Sequence, residues 1–276
     1  MILEAVLGNH ASWRTASPLL APPEILEQLN WGTAHTAYKV RAETAEGPAD
    51  FVVRFLPRVE ASLALDFSSE IALMARAAAR GLAPEVVFVQ PENRLLVTPF
   101  IDGTTDISAK SLGNLIAAIH ALPCEHAPIQ LIERLNAYTD SALARAVPSE
   151  QLIDPEFAPL TRAIAQLEAH APVTCHNDLG AGNVIESEGR AIAIDWEYGA
   201  CGSPYFDLAA ASAGWPELDE GLLINSVFPR NFSPRLWQLA KAVYAAIEWN
   251  WYQASGARRP ARVTRERVAN LLTALT

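Results

Sequence analysis

The sequence is poor in lysine, with only Lys39, Lys110 and Lys241, and it holds two methionines and three cysteines in 276 residues. With a formal net charge of −10, it has little of the cationic surface whose counterion release drives binding to duplex nucleic acid. An acidic chain attracts cationic small molecules instead. Cys124, Cys175 and Cys201 are odd in number, widely spaced and without metal-ligand spacing, so three reduced thiols are expected, neither a disulfide frame nor a zinc site. No apolar run approaches the roughly 18 residues of a membrane span, and Met1-Ile2-Leu3-Glu4 lacks a basic leader. The expected location is therefore the cytoplasm, with no membrane and no nucleic-acid partner. Repeats and low-complexity tracts are absent. What the chain does have is 50% hydrophobic and 19% charged residues, enough to bury a core and to exclude global disorder.

Up to about Glu24 the pattern is weak and reads as an arm or short helix. From Trp31 it changes. Alternation over Thr36–Glu43 and Asp50–Leu56, joined by Glu46-Gly47-Pro48, predicts a β-hairpin. Ser68-Ser69 can cap a helix whose apolar face is Ile71, Met74, Ala75 and Ala78, ending at Gly81. Two further strands are expected over Glu85–Gln90 and Arg94–Phe100, followed by a chain break at Asp102-Gly103-Thr104-Thr105. The remainder is mainly helical: Leu112–Leu122, Ser141–Val147, Ala158–His170, and a long helix from Ser233-Pro234 to Gly256. Two short strands, Asn183–Glu186 and Ala191–Asp195, interrupt it. The expected fold class is α+β, with a β-rich domain over 1–100 and a larger, mainly helical one over 101–276.

The chemistry is concentrated in His176-Asn-Asp-Leu-Gly-Ala-Gly-Asn183 and Ile194-Asp-Trp-Glu197. An aspartate, an asparagine five positions later, and an aspartate ending the next hairpin have the spacing of a protein-kinase-like catalytic loop. Phosphoryl transfer needs a carboxylate that orients the attacking hydroxyl and takes its proton, and Mg²⁺ to bridge phosphate oxygens. Asp178 is the candidate base; Asn183 and Asp195 are the candidate metal ligands. Asx residues also end turns and strands for local reasons. Here the apolar strand running into a second acidic residue, the β-rich segment upstream, and Gly180 and Gly182 favour the catalytic reading.

These strings, with Asp195-Trp-Glu-Tyr-Gly-Ala-Cys-Gly-Ser-Pro-Tyr-Phe-Asp-Leu-Ala209, resemble the aminoglycoside phosphotransferase and choline kinase superfamily, and within it the choline kinase and thiamine kinase branches. Leu115–Leu122 and Phe100-Ile-Asp-Gly103 are similar to the family's first C-terminal helix and its linker. The resemblance implies a bilobal protein-kinase-like fold, ATP and Mg²⁺ as cofactors, and a small alcohol as acceptor. It also implies a cation on the third strand against the phosphates and a carboxylate on the next helix. Arg54 and Glu70 stand at those places, with arginine where protein kinases have lysine. Gly32, Thr33 and His35 would cover the nucleotide, although the loop has one glycine where the branch pattern has two. Thr98 and Phe100, at the strand preceding the linker, complete the nucleotide set. His176 and Asp207 read as hydrogen-bonding buttresses of the loop, and His120 as a core or capping residue.

Acceptor recognition falls to Glu197 and to the long helix, where Trp237, Tyr244, Glu248 and Trp251 share one stripe with Lys241. Aromatic faces beside a carboxylate hold organic cations, so a choline- or thiamine-like acceptor is expected; packing in the core is the other role open to such a stripe. An aminoglycoside or amino-sugar kinase is the alternative within the class, and a catalytically silent nucleotide-binding protein the alternative outside it. Arg258, Arg259, Arg262, Arg265 and Arg267 form a local basic patch, read as balancing a C-terminal helix. Nothing in the pattern specifies an oligomeric state.

Overall fold

The computed structural model describes residues 2–29, 36–55, 66–125 and 127–275. In chain order, α1 (Ile2–Gly8) precedes β1 (Glu24–Leu29), β2 (Thr36–Thr44) and β3 (Gly47–Phe55). Then come α2 (Phe67–Ala78), β4 (Phe88–Gln90), β5 (Leu95–Pro99), α3 (Ala109–His120), α4 (Leu131–Ala144) and α5 (Ala158–Glu168). The strands β6 (Val173–Cys175), β7 (Val184–Ser187), β8 (Arg190–Ala193) and β9 (Ala200–Gly202) follow, and α6 (Pro204–Gly214), α7 (Glu220–Val227), α8 (Pro234–Ser255) and α9 (Arg265–Thr273) complete the chain. By its contacts the described chain falls into two units. One contains the residues up to 55, Asp66–Ile107 and Val184–Glu197; the other contains Ser108–Asn183 and the residues from 198 onward.

In the first unit, alternation in β2 and β3 turns Val40, Ala42, Phe51 and Val53 toward one face, where they meet Leu95 and Val97 of β5, Val6 and Leu7 of α1, and Trp13. The antiparallel sheet runs β1-β2-β3-β5-β4. The hairpin sits where the alternation and the turn residues put it. β1 is an addition: Glu24–Leu29 has no alternating pattern, its side chains are nearly all exposed, and only pairing with β2 makes it a strand. The cap of α2 differs too. Asp66, not Ser68 or Ser69, accepts the hydrogen bond from Ser68 N. The buried face of α2 is Phe67, Glu70, Leu73, Met74 and Ala77 rather than Ile71, Met74, Ala75 and Ala78. Alanine on both sides lets either face read as apolar; the larger side chains of Phe67 and Leu73 decide it.

The segment at Gly103 is tied to β7. Thr104 and Glu186 exchange backbone hydrogen bonds at 3.0 and 2.8 Å, and Ser187 Oγ donates to Asp102 O. A Cβ on residue 103 would lie 2.4 Å from Glu186 O. Glycine is there because two backbones touch.

In the second unit, α8 is the central element, packed against α4, α5, α6 and α9. Its start and stop follow the expected signals: Ser233 Oγ accepts from Leu236 N at 3.3 Å, Pro234 occupies the first turn, and Gly256 closes the helix. Trp237, Val243, Ala246 and Trp249 are buried in this core. Among the described residues no helix is long and apolar enough to cross a membrane.

One expectation is overturned. Cys124 and Cys201, 77 residues apart, form a disulfide, and only Cys175 remains a free, buried thiol. The pairing is tertiary in origin: Ile129 N donates to Cys201 O at 2.8 Å and Pro128 bridges to Cys201, which lays the segment after α3 along β9. Sequence spacing carries no trace of that alignment.

Candidate active site

In the second unit, β6 delivers His176, Asn177 and Asp178 into a tight loop. Asn177 takes a left-handed backbone, φ 64°, which Asn tolerates better than most residues. A single buried carboxylate holds the bend. Asp207, on α6, accepts from Asn177 N at 2.7 Å and His176 N at 3.3 Å, and pairs with His120 Nε2 at 3.0 Å. Asn177 Nδ2 donates to Tyr198 O at 3.0 Å, tying in the chain that leads to β9. The far side of the loop leans on α6, where a Cβ at Gly214 would stand 2.8 Å from Gly180 Cα. Asp207→Ala leaves two backbone donors and the imidazole of His120 without a buried acceptor; the expected cost is about 3 kcal/mol or more, read as a lower urea midpoint.

At the end of the loop the Asn183 amide reaches back. Its Nδ2 donates to Asp178 O and to Asp178 Oδ2, both at 2.8 Å. Both contacts use the nitrogen, so the amide oxygen is turned away from Asp178 and is available to a hard cation.

Asp195 belongs to the first unit. It follows β8 in a left-handed conformation, φ 62°, and Trp196 beside it is fully buried, its Nε1 donating to Ala193 O at 3.0 Å. Arg54, on β3, donates through Nη1 to Asp195 Oδ1 and through Nη2 to Glu70 Oε1, so one guanidinium bridges two carboxylates. Side-chain exposures of 11%, 1% and 25% for Arg54, Glu70 and Asp195 make this a largely buried triad. Burial opposes the charge on Arg54, yet Glu70, Asp195 and Glu197 carry its pKa above the ordinary arginine value. Burial also pushes the Glu70 carboxyl upward, with Arg54 pulling against it. The Arg54–Glu70 pairing matches the sequence expectation; the pairing with Asp195 was not anticipated. Glu197, expected among the acceptor residues, is buried within electrostatic range of Arg54.

The other nucleotide residues separate. Thr98 is buried in β5 opposite Val52, and Phe100, just beyond, carries the Lys39 ammonium 3.8 Å above its ring. Gly32, Thr33 and His35 lie outside the described residues.

The acceptor stripe of α8 divides as well. Trp237 is buried, with Lys241 Nζ 4.9 Å from its ring centre. Tyr244 packs edge-on against Phe206 at 5.7 Å, and Trp251 edge-on against Tyr252 at 4.7 Å. Glu248 is paired with Arg262 at 2.8 Å. Burial drives the Tyr244 hydroxyl well above its ordinary pKa, and the charges of Glu248 and Asp178 push it the same way. Tyr252 is raised for the same three reasons. Tyr244 and Tyr252 thus lie within electrostatic range of both Glu248 and Asp178. Sequence reasoning missed Arg262, which pairs with Glu248, and Arg134 on α4, within electrostatic range of Tyr244 and Asp178; the i, i+4 spacing of Arg134 and Tyr138 was the one local signal.

A β-sheet N-terminal region, a helical C-terminal region and an Asp-Asn loop of this kind define a protein-kinase-like phosphotransferase. The sequence model of the phosphotransferase enzyme family matches residues 25–242, and the chain belongs to that family. A curated relative, the Protein LicA homolog of Metamycoplasma hominis, is 26% identical over 155 residues, spanning 54% of this chain and 60% of that protein. Among solved structures the chain is similar to choline kinase LicA from Streptococcus pneumoniae, with TM-score 0.67 at 18% identity over 91% of this chain and 94% of that one. It is also similar to a choline/ethanolamine kinase family protein from Mesorhizobium loti, with TM-score 0.66 at 17% identity over 100% and 95%.

Proposed function

We propose that the protein is an ATP- and Mg²⁺-dependent kinase that phosphorylates the hydroxyl of a small, cationic, choline- or thiamine-like acceptor. The observation that carries this reading is the loop of the second unit, in which Asn183 fixes one oxygen of Asp178 within electrostatic range of Tyr244 and Tyr252. Asp178 takes the proton of the acceptor hydroxyl as that oxygen attacks the γ-phosphorus; the bond to the β-phosphate oxygen breaks and ADP leaves with its electron pair. Tyr244, Tyr252 and Trp251 offer aromatic faces, and Glu248 a carboxylate, to the acceptor's ammonium group.

Asn183 and Asp195 would hold Mg²⁺. Oxygen donors of this kind suit a hard cation, and the triad fits as well: two carboxylates share one guanidinium, leaving a net negative charge. The ion, when bound, neutralises charge on the phosphate oxygens. Arg54, with Glu70 orienting it, is assigned to the phosphates.

The test is ADP release, with Mg²⁺ and with chelator, over choline, ethanolamine, thiamine, amino sugars and aminoglycosides. Metal-dependent release stimulated by an amino alcohol is expected; selective stimulation by aminoglycosides would move the assignment to the other branch of the family. No release with any acceptor, together with no nucleotide binding, would end the kinase reading.

A further inference from the structure

One guanidinium in the second unit has too few partners. Arg134, half-buried on α4, donates from Nε to Tyr138 Oη at 3.0 Å and lies over the Tyr198 ring, 4.0 Å from its centre. Its Nη1 is buried with no acceptor, and no carboxylate among the described residues is within ion-pair distance. Two phenol rings give it surface and one oxygen, and the Asp178 carboxylate acts on it only from beyond ion-pair distance. Arginines with buried atoms are ordinarily paired, because an isolated one forfeits its hydration. Arg262 shows the ordinary arrangement, paired with Glu248 at 2.8 Å.

Its position is informative. Burial works against the charge on Arg134, yet Tyr138, Tyr198 and then Asp178 raise its pKa above the ordinary arginine value. Asp178 is therefore within electrostatic range of Arg134 on α4 and of Tyr244 and Tyr252 on α8, and Arg134 is within that range of Tyr244 as well. An acceptor whose hydroxyl meets Asp178 would lie within electrostatic range of the Tyr244 and Tyr252 rings of α8 and of the Arg134 guanidinium of α4. The guanidinium is a planar fork laid on a flat ring, a shape that matches a planar carboxylate through two parallel hydrogen bonds.

We propose that Arg134 binds a carboxylate of the acceptor, so that the substrate is a small hydroxylated zwitterion: an ammonium for the α8 face, a carboxylate for Arg134, and the hydroxyl for Asp178. The proposal rests on the kinase reading above and sharpens its substrate class from a simple cation to an amino acid-like alcohol.

The test uses pairs of acceptors that differ only by a carboxylate: ethanolamine against serine, and 3-aminopropanol against homoserine, with the full-length protein, ATP and Mg²⁺. The carboxylated member of at least one pair is expected to show kcat/KM about 10-fold or more above its partner, and in Arg134→Met that ratio falls to about one, with Arg134→Lys between. Equal or better use of the uncarboxylated members by the unaltered protein overturns the proposal, and this comparison does not depend on any variant folding. A carboxylate preference that survives in Arg134→Met overturns the role of Arg134. Turnover of amines without any such preference sinks this inference and spares the kinase reading; no ADP release with any acceptor sinks both.

Discussion

Asp178→Asn is expected to lower turnover by about 10³-fold while the Kd for ATP changes by less than about 3-fold. The substitution is nearly isosteric, and the asparagine oxygen can still accept the 2.8 Å hydrogen bond from Asn183 Nδ2, so the loop keeps its shape. The buried supports also survive, because Asp207 holds His176 N and Asn177 N independently of the Asp178 side chain. What disappears is the proposed acceptor of the hydroxyl proton. Single-turnover kinetics would place the loss in the chemical step, and titration calorimetry would report the unchanged nucleotide affinity. A silent nucleotide-binding protein has no turnover to lose, so an ATP-binding chain whose basal rate is unchanged by Asp178→Asn would belong to that class. Asn183→Ala is the contrasting change: it removes the Asn183 hydrogen bond to the Asp178 carboxylate and a proposed metal ligand at once, so turnover and Mg²⁺ dependence should both suffer.

The Asp-Asn loop and the hairpin after it could be read because their information is local. Their strands alternate, glycines mark the turns, and the donor residues lie close together along the chain. The same holds for α8, whose Ser233, Pro234 and Gly256 each act on the nearest turn of backbone. The pairing of Arg54 with Glu70 was legible because strand and following helix have a fixed order in such a fold. Other features depend on partners far off in sequence. Asp195 joins Arg54 across 141 residues, Arg134 on α4 reaches the Tyr198 ring beyond β8, and Cys124 meets Cys201 across 77 residues. No periodicity or cap encodes such meetings. β1 failed for a different reason: an exposed edge strand has no buried face to impose alternation, so Glu24–Leu29 looks like any polar segment.

The Arg54 triad permits a sharper separation of stability from function than a single substitution gives. Arg54→Met should be severely destabilising, by about 3 kcal/mol or more, because it strands the Glu70 carboxylate, 1% exposed, in the core without its cation. Glu70→Met alone should cost less, since Arg54 would keep the more exposed Asp195 as a partner. The double variant Arg54→Met/Glu70→Met removes both buried charges and fills their space with apolar side chains, so its unfolding midpoint should recover most of what Arg54→Met loses. Nucleotide affinity should follow a different course. If Arg54 meets the phosphates, the double variant binds ATP as weakly as Arg54→Met does, because restored packing supplies no phosphate contact. Measured together, the midpoint and the ATP Kd form two thermodynamic cycles on the same residues. The stability cycle should show strong coupling and the binding cycle almost none. ATP affinity that returned along with the midpoint would mean that Arg54 serves only to hold β3, α2 and Asp195 in place, and that the phosphates are met by another group.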